Sequence, residues 1–233
     1  MEELTLPARI VIWTIPVIFG ITVHEVAHGW VANQLGDPTA RNAGRLTLNP
    51  VRHVDIVGTL LVPLALLLLS GFVLGWAKPV PVNAGRLGSP RRDMALVALA
   101  GPGSNLLMAL AWALVVKLGL VYHTALGGAA ILLIFMGVAG IFINTILCIL
   151  NLLPLPPLDG GRVLTSVLPA AWTPVMARVE RFGLVIILVL LVTGVLGRLL
   201  RPTLQFIGVS LEQLLGISSS FFFSALAVLF GAQ

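Results

Sequence analysis

Six apolar runs alternate with short polar stretches along the 233 residues, at 8–31, 56–76, 94–120, 126–153, 182–196 and, more raggedly, 203–230. A helix that crosses a bilayer needs about 20 apolar residues, so the pattern predicts an all-α integral membrane protein, a multi-span helical bundle with four to six crossings. The second run differs from the others. It carries Pro63 and Gly71 and leads into Trp76-Ala77-Lys78-Pro79-Val80-Pro81-Val82-Asn83, where proline fixes φ and removes backbone donors, so this stretch reads as extended chain. Arg41, Arg45 and Arg52 precede the run, and Lys78, Arg86, Arg91 and Arg92 follow it. Cytoplasmic loops carry the excess of Lys and Arg, so both flanks belong on one side and 56–76 is expected to be a small re-entrant or extended membrane-associated element. Short alternation near Arg45–Leu48 and the Asn49-Pro50 pair add an expected small strand and a bend at the membrane surface.

Composition agrees with this reading: 58% hydrophobic and 10% charged residues exclude an ordinary soluble domain. The net charge of +5 would suggest nucleic acid in a soluble protein. Here the cations sit in short loops as topology signals toward anionic lipid, and no basic patch interleaved with aromatics is present, so no nucleic-acid partner is expected. The single cysteine, Cys148, excludes an internal disulfide and reads as helix packing. The acidic Met1-Glu2-Glu3 is unlike the basic start of a secretory signal, so the first run is expected to be a retained span. No internal repeat and no long polar run is evident. The chain is expected to divide into a membrane core at 1–168 and C-terminal membrane helices at 169–233, for which no chemistry is assigned.

The chemistry lies where the apolar pattern breaks. Thr22-Val23-His24-Glu25-Val26-Ala27-His28-Gly29 puts two imidazoles and a carboxylate inside the first run, and ionisable groups are expensive at that depth. His24 and His28 are four residues apart and share a helix face. Two imidazoles so placed can ligate zinc at about 2.0–2.1 Å without distorting the helix, and Glu25 beside them can serve as the base for a water. The plainer reading is polar residues bonded to one another inside a bundle. His53 and Asp55 form a second polar pair, expected to be solvated at the interface. Gly101-Pro102-Gly103-Ser104-Asn105 reads as a packing motif, its small residues letting helices approach and Asn105 bonding across the interface. After the run 126–153, Pro154, Pro156 and Pro157 break the helix, and backbone freed at that depth must line protein or a watery cavity. Asp159, between Leu158 and Gly160-Gly161, is placed either to donate a third, oxygen ligand or to cap the following helix. If 56–76 does not cross, Asp159 arrives on the side of the histidine pair.

Taken together, His24-Glu25-x-x-His28, Asn49-Pro50-x-x-His53-x-Asp55-x-x-Gly58, Gly101-Pro102-x-x-Asn105 and Asn151-x-x-Pro154…Leu158-Asp159-Gly160-Gly161 resemble the site-2 protease family of intramembrane zinc metallopeptidases, in a compact form without PDZ or CBS domains. The resemblance covers about residues 10–168. It implies one Zn2+ per chain held by His24, His28 and Asp159, with Glu25 as general base and acid. It also puts Asn151 near the metal, where its amide would hold substrate or the developing oxyanion. The implied reaction is hydrolysis of a peptide bond in or near the transmembrane segment of a membrane protein, in the cell membrane and toward its cytoplasmic side. Val80 and Val82 are then placed to pair with an unwound substrate segment by strand addition. The alternative is a metal-transporting or metal-sensing membrane protein, which would be expected to show related halves.

Overall fold

A computed structural model describes residues 5–61 and 77–231. Helix α1 spans Leu6–Gln34, with Pro7 in its first turn, where the missing N–H would be unpaired anyway. A helical turn, α2 (Thr39–Asn42), follows. Helix α3 is the longest, Pro90–Val121, again entered through a proline, and the carboxylate of Asp93 accepts the N–H of Ser89 at 2.7 Å to tie down its start. The turn α4 (His123–Leu126) leads to α5, Gly128–Leu152, which stops where the prolines begin. Then come α6 (Asp159–Val167), α7 (Thr173–Val192), α8 (Val195–Leu215) and α9 (Ser219–Leu229). No strand is formed among the described residues.

Helices α1, α3 and α5 are each long and apolar enough to cross a membrane, and α7 with α8 makes a fourth candidate only if this pair, bent by 73°, is taken as one span. The described residues thus supply three or four of the four to six crossings that the apolar runs allow, and 62–76 are outside that count. Two left-handed glycines interrupt the later runs: Gly194 (φ +72°) breaks the run 182–196, and Gly216 (φ +65°) breaks 203–230. The re-entrant element falls mainly on residues 62–76, which lie outside the described residues. Its flanks are described, and they meet: Lys78 N–H donates to His53 O at 2.9 Å, and Gly88 N–H to Leu35 O at 3.3 Å. The end of α1 and the start of α3 are thus on the same side of the bundle. The small strand expected near Arg45–Leu48 is absent. Arg45 instead donates its guanidinium to Lys78 O at 2.7 Å, so a side chain, and not a backbone ladder, joins these two segments. The Asn49-Pro50 bend is present, with Asn49 Oδ1 capping the turn Pro50–His53.

The three long helices pack closely because small residues face large ones. A Cβ on Gly140 of α5 would lie 2.3 Å from the Trp112 ring of α3, and one on Gly137 2.5 Å from Val116. Small residues of this kind bring helices together in lipid, where apolar burial itself gives little drive. One half of the bundle is apolar, with Ile12, Val116 and Ile141 gathered around Phe222 of α9. The other half holds buried polar side chains, and the site lies there.

Candidate metal centre

His24 and His28 stand one turn apart on α1, both buried, with their Nε2 atoms 3.0 Å from each other. Asp159 Oδ2 is 3.2 Å from each of these nitrogens. Asp159 reaches them because it opens α6. Leu158, not Asp159, is the N-cap residue, and no side-chain capping bond is made, which leaves the carboxylate to the site. The Gly160-Gly161 pair lets this turn sit against the broken end of α5, since a Cβ on Gly161 would fall 2.2 Å from Pro156 N and one on Gly160 2.3 Å from Leu152 O. Across the site, α3 offers Gly101. A Cβ there would lie 2.4 Å from His28 Nε2 and 2.5 Å from His24 Cε1, so both imidazoles rest on space that only glycine leaves.

The outer ring nitrogens are engaged. His28 Nδ1 is 2.7 Å from Val97 O and His24 Nδ1 is 2.6 Å from Asn105 Oδ1. Both partners are acceptors, so each imidazole donates from Nδ1 and, when neutral, turns its Nε2 lone pair inward. Asp159 Oδ2 is buried and has no hydrogen-bond partner. Burial alone would raise the Asp159 carboxyl, but the His24 and His28 rings facing it outweigh that and hold it below the usual carboxylate range. Three acceptor atoms this close repel one another unless positive charge sits among them, as protons or as a metal ion. The triangle fits the ion: tetrahedral ligands at about 2.0–2.1 Å stand about 3.3–3.4 Å apart, and two imidazoles with one carboxylate are a donor set of zinc that leaves a fourth position open. Among the described residues these three form the group able to hold a metal.

Glu25 is half-buried next to His24, and its Oε2 accepts the N–H of Val80 at 2.8 Å. Val80 belongs to an irregular strap, residues 77–83, laid against the end of α1. The strap is fixed by the contacts of Lys78 already described and by Asn83 N–H on Asp37 Oδ2 at 2.6 Å. Gly29 makes room for it, since a Cβ there would be 2.8 Å from Val80 Cγ1. Asp37 also accepts the N–H and hydroxyl of Thr39. Burial pushes its carboxyl up, but these donors, with Asn83 N–H, overcome this and hold it below its ordinary value. A cavity of about 550 Å³ opens beside the strap, lined by Val80, Val82, Met94, Gly161, Arg162 and Glu180 among others. It lies between the strap that holds Glu25 and the helix that carries Asp159.

Of the residues singled out in the sequence, His24, His28 and Asp159 are brought together and Glu25 is beside them. Asn151 is not joined to them by a hydrogen bond; its amide donates to Leu147 O, one turn back on α5, at 2.9 Å. His53 is buried, not solvated, and its Nε2 meets Thr47 O at 2.9 Å as the loop folds back on itself. Asp55 accepts Gly58 N–H at 2.7 Å. Asn105 is more than packing, because it contacts the His24 ring directly. Asn144, buried on α5, is a polar residue near this set that no sequence motif picks out. An amide inside an apolar run, which Asn144 is together with Asn151, is the signal that marks it.

The profile of Peptidase family M50 matches residues 120–194, the stretch that includes the break after α5 and Asp159. The chain is 39% identical over 196 residues to "Putative zinc metalloprotease YwhC" of Bacillus subtilis (strain 168), covering 82% of this chain and 84% of that one. It is 31% identical over 185 residues to "Putative zinc metalloprotease Rip2" of Mycolicibacterium smegmatis, covering 78% and 66%. With Rip2 of Mycobacterium tuberculosis (strain ATCC 25618 / H37Rv) the identity is 33% over 183 residues, covering 77% and 66%. No solved structure matches the chain. A donor triangle drawn from two helices far apart in sequence, and a relative aligned over more than four-fifths of both chains, lead to one conclusion: the chain belongs to peptidase family M50, the site-2 protease family.

Proposed function

We propose that this chain is an intramembrane zinc endopeptidase that cuts a peptide bond in or near the membrane segment of another protein. The observation that carries the reading is the convergence of His24 Nε2, His28 Nε2 and Asp159 Oδ2 at 3.0–3.2 Å, with Glu25 alongside. His24, His28 and Asp159 would hold one Zn2+. Zinc bound there supplies Lewis acidity, polarising a carbonyl and making a water a nucleophile near neutral pH. Glu25 would take up a proton on the carboxylate oxygen that Val80 does not engage and return it to the leaving amine. Asn151 would steady the substrate with the amide hydrogen not spent on Leu147.

A helical substrate shields its peptide bonds within its own hydrogen bonds, so it must unwind before it can be cut. The cavity beside the strap suits an unwound segment, with Val80 and Val82 along one wall. Pro79 and Pro81 have no N–H and that of Val80 goes to Glu25, so the remaining donor in this part of the strap is the N–H of Val82. The excess of arginine in the 41–52 and 86–92 loops supports the reading that this end of the bundle faces the cytoplasmic side of the cell membrane. The catalytic core falls within 1–168, while 169–233 supplies α7, α8 and α9, the last of which closes the apolar half.

The test is Glu25→Gln in the purified full chain, assayed on a panel of single-span membrane proteins. The expected result is cleavage reduced at least about 100-fold, as for loss of a general base, with one zinc per chain retained. Cleavage at the wild-type rate would overturn the role of Glu25. A wild type that moves metal across vesicles and cuts nothing would favour the transporter reading.

A further inference from the structure

Two backbone carbonyls bracket a chain of side-chain amides that runs from α5 to the metal centre. Asn144 Nδ2 donates to Gly140 O at 2.9 Å. Asn105 Nδ2 donates both to Asn144 Oδ1 at 3.0 Å and to Gly20 O at 3.2 Å. Asn105 Oδ1 then faces His24 Nδ1 at 2.6 Å. Both asparagines are 0% exposed, so bulk solvent does not reach them, and an unmet polar group is costly there.

The chain has a direction. A carbonyl oxygen can only accept, so the amide atoms that face Gly140 O and Gly20 O must be NH2 groups. With both NH2 groups committed, the Asn144 oxygen must point at Asn105 and the Asn105 oxygen at His24. Only a protonated Nδ1 can meet it. Turning Asn105 over would set its oxygen against two acceptors, Gly20 O and Asn144 Oδ1. We infer that Asn144, which makes no hydrogen bond to His24, His28 or Asp159, is a positioning residue of the metal centre. It fixes the polarity of Asn105 and through it the tautomer of His24, so that Nε2 is delivered to the ion as a lone pair. His28 needs no such device, because its partner is the backbone oxygen of Val97, which cannot turn over.

The inference rests on the zinc reading, and the experiment separates the two. Zinc affinity of the purified full chain is measured by chelator competition, the His24 tautomer by nitrogen-15 NMR of the metal-free protein, and folding by thermal unfolding. Asn144→Leu is expected to weaken zinc about 10- to 100-fold, the usual effect of removing an outer-shell partner, and to give a mixed His24 tautomer. Asn105→Leu with Asn144→Leu is expected to lose no more than Asn105→Leu alone, since the two act in one chain. Asn105→Asp is the sharpest variant. Its carboxylate can accept from His24 but cannot donate to Gly20 O or Asn144 Oδ1, so affinity should fall. If zinc binds more tightly, any acceptor beside Nδ1 suffices and the inference fails. It fails also if Asn144→Leu stays within twofold of wild type. Val138→Ala, in the apolar half of the same helix, should lower the unfolding temperature and leave affinity unchanged; a parallel loss there would reduce the Asn144 effect to general loosening and overturn it. A wild type that binds no zinc sinks the zinc reading instead, and the tautomer in the metal-free protein still decides whether Asn144 sets it.

Discussion

Helices α1, α3 and α5 build two halves that are held together differently. In the apolar half, Ile12, Val116 and Ile141 meet Phe222, and the fit depends on Gly137 and Gly140 admitting Val116 and Trp112. Lipid tails are as good a solvent for these side chains as the protein is, so what holds them is contact at close range. In the polar half, His24, Asn105 and Asn144 are buried too, but each hydrogen bond has a direction and each group has a required partner. Fit degrades gradually as atoms are added or removed, whereas a buried donor is either met or not. The apolar half therefore sets how stable the bundle is, and the polar half sets which way its side chains point.

The largest effect should come from matched glycines, one in each half. Gly101→Ala adds a Cβ 2.4 Å from His28 Nε2, and Gly137→Ala adds one 2.5 Å from Val116. Overpacking of this kind costs about 1–3 kcal/mol. At Gly101 the strain falls on the ligand rings, so it is expected as a loss of zinc affinity of about 10- to 100-fold, with α3 otherwise intact. At Gly137 a similar cost should appear as a lower unfolding temperature with one zinc per chain retained. Equal loss of zinc from both variants would mean the halves are not separable.

A smaller effect is expected at the strap, where the polar half is held by backbone. Val80→Pro removes the N–H that Glu25 accepts, while Val82→Pro leaves that bond in place. A hydrogen bond to a charged group contributes about 1.5–3 kcal/mol, so Val80→Pro should lower kcat about tenfold or more at full zinc content. Val82→Pro should raise KM and spare kcat if the strap pairs with substrate. Unchanged kinetics for both would remove the strap from the mechanism.

The contrast between the halves also marks how far the sequence could be read. His24, Glu25 and His28 were legible because charged side chains in an apolar helix demand a use, and Asp159 because glycines and prolines around it signal a break. The all-α membrane class followed from the apolar runs alone. What escaped was whatever depends on direction or on distant packing. Asn105 looked like helix glue because spacing does not say which ring it will face. Asn144 lies 39 residues from its partner Asn105, and nothing local pairs them. The expected strand near Arg45–Leu48 failed because alternation cannot tell that Arg45 will reach across to Lys78 O. The breaks at Gly194 and Gly216 escaped as well, because a single left-handed residue ends a helix that hydropathy would continue.

The smallest effect tests whether strap and metal centre are one unit. Asp37 anchors the strap through Asn83 N–H, and its carboxyl is held below the ordinary value, the donors of Thr39 and Asn83 outweighing burial. A depressed carboxyl stabilises the folded state fully above its unfolded pKa of about 3.9, and that contribution is lost as pH falls through the folded value. Hydrogen exchange at the Asn83 amide should therefore be flat from about pH 5 to 8, once the intrinsic rate is removed, and lose protection below about pH 4. Asp37→Asn keeps an acceptor without the charge, so it should speed that exchange by about two- to fivefold at neutral pH, as for weakening a single charge-assisted bond. Zinc affinity should not change, because Asp37 touches neither His24 nor the amides behind it. If Asp37→Asn weakened zinc as much as Gly101→Ala, the strap would have to be counted as part of the metal centre, and the division drawn between side-chain and backbone supports would no longer hold.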